Sequence, residues 1–384
     1  MLVIRLAFFA LFCCSVRFHH IQSLLTQEPH FYTNEIMNAN QLIQEYKTGR
    51  RQFAGADLSG ADLSGIDLNE VNLCGANLRG ASLCGSALRK ASLIGANLEG
   101  ANLRQIDMSD AILIGVNLSD AFLTYAFLCK SNLTGAFLGK ADLSSANLRG
   151  ANLCGASLYK ADLSSANLHE ANLRGTSLVK ASLSGANLFN TNLSGADLGD
   201  ADLFQANLRA ANLGGAHLGG AHLSVTHLRE ANLSGADLTD ADLFEANLRG
   251  ANLCGANLCD ANLCGVNLRE ADLFGAKLFN TDLFNANLFD TDLSGVDLSE
   301  ANLSGATYGS RIPLSKPPIS LTGLPLAVLI LDEHIKIGST IKQYSEWLEL
   351  SDEQFKELDP KAELLLPHKP AIIAAAEAHG CQKS

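Results

Sequence analysis

The sequence is short of aromatic residues, of proline and of charge. One Trp, 6 Tyr and 17 Phe make up 6% of the 384 residues, and Pro occurs only 8 times. Charged residues are 18%, below the ~25% usual for globular chains. With 47% of residues hydrophobic, this shortage excludes a disordered chain, which would be polar and charge-rich. Basic residues are outnumbered, 28 to 40, for a net charge of −12. That balance excludes a broadly basic nucleic-acid binder. No apolar run reaches the ~18–20 residues needed to cross a bilayer, so no transmembrane span is expected. What is left is an acidic chain rich in Leu and Ala, the profile of a repeat protein.

From Arg51 to Gly305 the sequence reads in one five-residue frame without insertion or deletion, giving fifty-one pentapeptides in 255 residues. The third position is Leu in forty-nine of them, the exceptions being Phe53 and Met108. The first is Ala in thirty-seven, and the second is mostly Asn or Asp. A period of five fits neither a helix at 3.6 nor a strand at 2. The chain must turn at every unit, with Leu and a small residue facing in and the other three positions facing out. A second period lies inside the first. The fifth position is Gly at 55, 75, 95 and every twentieth residue to 295, thirteen times in thirteen, but only four, five and two times on the other three phases. Four pentapeptides therefore make one turn. One phase is expected to have a backbone need that the others lack, a φ above zero in a tight turn. Stacked at strand spacing of ~4.8 Å, about thirteen coils would run about 60 Å.

The array, with units such as Ala246-Asn247-Leu248-Arg249-Gly250, resembles the pentapeptide-repeat proteins. The resemblance implies an all-β solenoid, a right-handed quadrilateral β-helix with Leu stacked along its axis. Such a coil needs caps at its open edges. An amphipathic helix over Asn40–Lys47, with Leu42, Ile43 and Tyr46 on one face, and Phe53 as a plug are expected at the N-terminal end. Residues 1–36 read as an upstream extension or weak signal-like segment, with Met37 as the start, and 37–50 as the capping segment. After the array (51–305), residues 306–325 read as a linker carrying Pro313, Pro317 and Pro318. Residues 326–384 read as a small α+β domain. It would comprise a hairpin of 327–331 and 334–337, a helix from about Thr340 to Leu350 capped by Ser339, one starting at Ser351 with a capping box, and a last one from Ala371 to His379 ending at Gly380. Capping the array is its expected role, and a homodimer through it is an alternative.

No nucleophile elbow, phosphate loop or metalloprotease motif is present, and no enzyme, cofactor or metal is expected. Seven of the ten cysteines lie at fourth positions of the array: Cys74, Cys84, Cys129, Cys154, Cys254, Cys259 and Cys264. No two are twenty apart, so free thiols and a cytoplasmic setting are expected, with export as the alternative if residues 1–36 act as a signal. His217, His222 and His227 fall on different sides and cannot converge on a metal.

Sorting the surface by the period of twenty gives candidate contact residues. Arg209, Arg229, Arg249 and Arg269 share one position in successive turns, with Glu230 and Glu270 beside them. Asp142, Asp162, Asp202, Asp242 and Asp282 share another. Phe122 and Phe127, with Ile112 and Phe137, replace polar second positions, and outward aromatics mark contact surfaces. Phe274, Phe279, Phe284 and Phe289 ring one turn, where cover by the C-terminal domain is expected. Two functions follow. One is a non-catalytic scaffold presenting charged stripes to protein partners, without direct nucleic-acid binding. The other is implied by the resemblance, since some pentapeptide-repeat proteins mimic DNA and inhibit or protect DNA gyrase.

Overall fold

The computed structural model describes residues 37–293, 295–298, 300–308, 312–313, 318–321, 324, 328–337, 340–357 and 361–381. The reading of residues 1–36, the cap at Ser339, and Pro317 lie outside them. The chain forms two compact units that divide between His222 and Leu223, and each is described by itself.

In both units the second residue of each pentapeptide forms isolated parallel bridges with residues twenty positions away, as in Asn152↔Asn172↔Asn192 and Asn232↔Asn252↔Asp272. The pentapeptide Ala171–Gly175 shows why the frame holds. Ala171 N donates to Leu168 O (3.0 Å), Asn172 N to Ala151 O (2.9 Å), Leu173 N to Asn192 O (2.7 Å) and Gly175 N to Ser194 O (3.1 Å). The remaining donor, Arg174 N, goes to the side chain of Asn172 (3.3 Å). All five backbone N–H groups are thus used, four by the backbone and one by a side chain two residues back.

This accounting corrects one expectation. The second position does not simply face out. Asn172 is partly buried, caps its own turn, and donates from Nδ2 to Asn152 Oδ1 (3.0 Å). Asn192 in turn donates to Asn172 (3.2 Å). The first and third positions are buried as expected, including Ala151, Leu153, Ala251 and Leu253. Where the first residue is polar, its hydroxyl finds a backbone acceptor: Thr191 donates to Leu168 O (2.8 Å) and Ser131 to Leu128 O (2.7 Å). A buried hydroxyl is thereby spared the cost of an unmade bond.

The glycine phase also departs from expectation. The turn closes from first-position N–H to the preceding third-position carbonyl, as in Ala61 N to Leu58 O (3.0 Å), with the fifth residue at positive φ. That need is common to all four phases, because Glu70 (59°), Gln105 (56°) and Lys140 (58°), one on each of the other three, adopt it too, as does Val225 (60°). Nothing in the structure explains why one phase is always Gly.

In the first unit α1 (Ala39–Lys47) starts at a capping box made by Asn38 and Gln41. Leu42 is fully buried, as is Phe53. Met37 N donates to Asp57 O (3.3 Å) and the Tyr46 hydroxyl to Asn69 O (2.9 Å), so the segment supplies donors to carbonyls of the first coil.

In the second unit the bridges continue past the expected end of the array, with Asn287 pairing Thr307. β1 (Thr307–Tyr308) pairs with β2 (Ile312–Pro313). β3 (Ile319–Leu321), β4 (Val328–Ile330), β5 (His334–Ile337) and β6 (Thr340–Gln343) form an antiparallel sheet in that order. Residues 319–321, read as linker, are therefore a sheet strand. Thr340–Gln343, read as helix, pairs with β5 over four residues. The helix α2 is only Tyr344–Glu349. Alternation in Thr-Ile-Lys-Gln satisfies a strand, and the sheet edge decides a stretch too short for periodicity to settle. α3 (Asp352–Lys356) has the expected capping box from Ser351 and Gln354. A 3₁₀ helix (Ala362–His368) precedes α4 (Lys369–His379), which ends at left-handed Gly380. Ile335, Trp347, Phe355, Leu365 and Ile372 share one core, and Trp347 Nε1 donates to Ile335 O (2.7 Å). Lys336 Nζ reaches Tyr308 (2.9 Å) and Asp290 (3.5 Å), tying the sheet to the last coils.

Candidate protein-contact surfaces

The Asp positions are turn caps before they are anything else. Asp142 Oδ1 accepts from Ser144 N (3.0 Å) and Oγ (2.6 Å), while its Oδ2 accepts from Thr124 (2.9 Å). Burial pushes its pKa up, but these hydrogen bonds outweigh that and hold the carboxyl below its ordinary value. Asp162 Oδ1 likewise accepts from Ser164 N (2.9 Å). Asp202 accepts from Phe204 N (3.0 Å) and lies 3.1 Å from His222 Nδ1. In the second unit Asp242 accepts from Phe244 N (3.2 Å), Ser224 (2.6 Å) and Asn262 (2.8 Å). Asp282 accepts from Phe284 N (3.0 Å) and Asn302 (2.9 Å). Much of their capacity for hydrogen bonding is spent inside the coil.

The Arg positions are largely neutralised. Arg249 donates through Nε and Nη2 to both oxygens of Glu270 (3.1–3.2 Å), and Arg269 Nε donates to the same carboxylate (3.0 Å). Hydrogen bonds from Arg249, then from Arg269, hold Glu270 below its ordinary pKa. Arg229 is 3.4 Å from Glu230. In the first unit Arg209 stands over the Phe189 ring at 5.9 Å. Exposed pairs of this kind contribute little to stability.

Phe122 and Phe127 are different. They occupy bridging second positions, between Asn102 and Asp142 and between Asp107 and Asn147, yet they are 45% and 48% exposed. A phenyl ring offers no acceptor two residues on. Among the described residues, no side chain caps the N–H of Thr124 or Cys129 as Asn172 caps that of Arg174. Phe137 and Tyr125 are exposed beside them in sequence, and Arg104 covers Phe122 at 5.3 Å. The coil gives up a local hydrogen bond at each ring and leaves apolar surface in water.

Two further expectations change. Phe274, Phe279 and Phe284 are exposed, not covered by the C-terminal residues. Cys154 is buried and disulfide-bonded, whereas the other six array cysteines are free. Among the described residues no cluster of His, Cys, Asp or Glu is arranged to hold a metal ion, and no helix is long and apolar enough to cross a membrane.

The pentapeptide-repeat model matches in eight copies between residues 52 and 307. The chain belongs to the pentapeptide-repeat family. It is similar to HetL, a pentapeptide-repeat protein involved in heterocyst differentiation regulation from the cyanobacterium Nostoc sp. strain PCC 7120, at 34% identity over 72% of this chain and 99% of that one, with a TM-score of 0.27. Rfr23 from the cyanobacterium Cyanothece 51142 is 40% identical over 27% of this chain and 62% of that one, with a TM-score of 0.22. QnrB1, a plasmid-mediated fluoroquinolone resistance protein, matches at 14% over 66% and 94% with a TM-score of 0.28. No curated protein sequence matches the chain. Members of this family are β-helical repeat proteins, and no enzymatic family is indicated.

Proposed function

We propose that this chain is a non-catalytic interaction protein whose array, a right-handed quadrilateral β-helix of about thirteen coils, presents an outward aromatic belt to a protein partner. Residues 51–305 carry the contacts, 37–50 cap one end, and the sheet and helices between Ile319 and His379 form a small α+β cap. The observation that carries the reading is Phe122 and Phe127, which stand where the repeat uses a turn-capping Asn or Asp and are left about half exposed. Exposed aromatics of this kind are the anchors on which interfaces concentrate their energy. The charged strips contribute less, because their side chains are engaged within the coils, and they serve as a polar rim at most.

The test is hydrogen exchange on the full chain, alone and bound to a partner captured on it. The reading expects new protection centred on residues 112–137. Protection that instead follows Arg229, Arg249 and Arg269 would transfer the contact to the basic strip. A second reading, a DNA-mimicking modulator of DNA gyrase, is favoured only by the acidic array, with 27 acidic and 16 basic residues from 51 to 305. Inhibition or protection in a gyrase supercoiling assay at micromolar protein would promote it over the first.

A further inference from the structure

Each side of a coil turns one N–H and two carbonyls toward the coil before it. On the side Ala81–Gly85, Ser82 N donates to Ala61 O (2.9 Å), Ser82 O accepts from Leu63 N (2.7 Å) and Cys84 O accepts from Gly65 N (2.9 Å). The first coil has no coil before it, so the matching groups need other partners. Three of its sides have one. Arg50 Nε donates to Gln52 O (2.8 Å), Met37 N to Asp57 O (3.3 Å) and the Tyr46 hydroxyl to Asn69 O (2.9 Å). The remaining side, Ala61–Gly65, has none. Among the described residues nothing bonds to Asp62 N, Asp62 O or Ser64 O.

This side is also open to solvent. Asp62, Ser64 and Gly65 are exposed, as is Asp67 beyond the corner. The inner residues Ala61 and Ile66 are partly exposed, whereas Ala81 and Ser86, one coil on, are buried. Leu63 is buried, so the core is closed and what remains is a backbone edge. Such an edge is a template for another strand. Its surroundings have one sign, because residues 52–78 include Asp57, Asp62, Asp67 and Glu70 and no Lys or Arg. Of the cations just before them, Arg50 is paired with Glu45 and Arg51 lies over the Tyr46 ring (3.8 Å). An edge of this charge repels an acidic strand and admits a basic one.

We propose that the Ala61–Gly65 edge is a strand-addition site for an extended, basic segment of a partner protein. One carbonyl of the segment takes the Asp62 N–H, and two of its N–H groups reach Asp62 O and Ser64 O, repeating what the array does at Ser82 and Cys84. Lys or Arg side chains of the segment face Asp62 and Asp67, and a small apolar residue covers Ala61 and Ile66. The surface is separate from the belt at Phe122 and Phe127, and it shares with that belt only the reading of the chain as an interaction protein.

The probe is a fluorescein-labelled peptide of alternating Lys and Val, titrated by anisotropy against the full chain at moderate salt. Residue-resolved hydrogen exchange is then read on the saturated complex. Binding is expected, with new protection of the Asp62 amide. The same peptide with methylated backbone nitrogens keeps its charge and loses its donors, so it should bind at least about tenfold more weakly. Asp62→Asn with Asp67→Asn retains the turn caps on Ser64 N and Asn69 N (3.0 Å each), so the coil is preserved. It should bind the Lys–Val peptide about fivefold less tightly. Asp110→Asn with Asp120→Asn, which removes two exposed charges elsewhere in the first unit, should leave the affinity unchanged. No binding by the wild type, equal affinity for the methylated peptide, equal affinity of the Asp62→Asn, Asp67→Asn variant, or a complex without protection at Asp62 would overturn the assignment. Protection of Asp62 in the chain alone that rises with protein concentration would also overturn it, by giving the edge to a second copy. None of these outcomes touches the belt, which is judged by the exchange footprint at residues 112–137.

Discussion

Gly75→Ala isolates the backbone requirement of the coil corner. Gly75 has φ +65°, and an added Cβ would meet nothing within 4 Å, so no clash enters the balance. Its N–H donates to Ile94 O at 2.8 Å, and that bond survives the substitution. A Cβ in the left-handed region costs about 1–2 kcal/mol. Loss of glycine's freedom in the unfolded chain returns about 0.4–1 kcal/mol. The net expectation is a destabilisation of about 0.5–1 kcal/mol. Val225→Gly should act in the opposite sense, because a β-branched residue held at φ 60° is the least suited to that conformation. Relief of about 1–2 kcal/mol is there reduced by glycine's larger loss of freedom on folding, roughly 0.5–1 kcal/mol. The assay is urea unfolding followed by circular dichroism, reading the midpoint at unchanged slope. An unchanged midpoint for Gly75→Ala, or a lowered one for Val225→Gly, would refute the account of the corners. Gly80→Ala lies on another phase at φ +63° in equally open space, and it should cost the same as Gly75→Ala. A much larger cost at Gly75 would show that the invariant phase has a further need.

Asn172→Ala removes the cap on Arg174 N–H and one rung of the amide ladder, and should cost about 1–2 kcal/mol in the same assay. Tyr344, held up to about 12 first by burial and then by its hydrogen bond to Glu377, keeps its proton in the folded state after the unfolded chain has begun to lose it. Stability from this group is complete below pH 10 and lost as pH rises toward 12, so Tyr344→Phe should flatten the alkaline fall in melting temperature. Glu270 has the opposite sign. Its lowered pKa gives stability that is present above the ordinary glutamate value and lost as pH falls through the folded one, so Glu270→Gln should make the acid limb shallower, an effect that high salt should erase.

The period of twenty and the buried Leu/Ala pair were legible because they recur without a break, and recurrence converts weak local preferences into a register. The second position was legible as polar but not as a cap. Seeing its use requires knowing that the N–H of Arg174 has no backbone acceptor, which depends on the stacked coil. The left-handed corners were read on one phase only, because glycine advertises the conformation while Glu70 or Lys90 adopts it without announcing it. The C-terminal elements were read where caps mark them, at Ser351 and Gly380. They were misread at Thr340–Gln343, where pairing with β5 overrides local preference. The charged strips were legible in position, but their engagement with Ser144, Glu270 and Asn262 is a property of the fold.

The central claim is that Phe122 and Phe127 serve a partner and not the coil. Phe122→Asn with Phe127→Asn installs the residue the repeat ordinarily carries there. The regained caps, about 0.5–1.5 kcal/mol each, are set against loss of two half-buried rings of similar worth, so the fold should keep its stability to within about 1 kcal/mol. Titration of a captured partner against the wild type and this variant decides the matter. The account predicts affinity weakened at least tenfold with an unchanged circular dichroism spectrum. Equal affinity of the two proteins would contradict it.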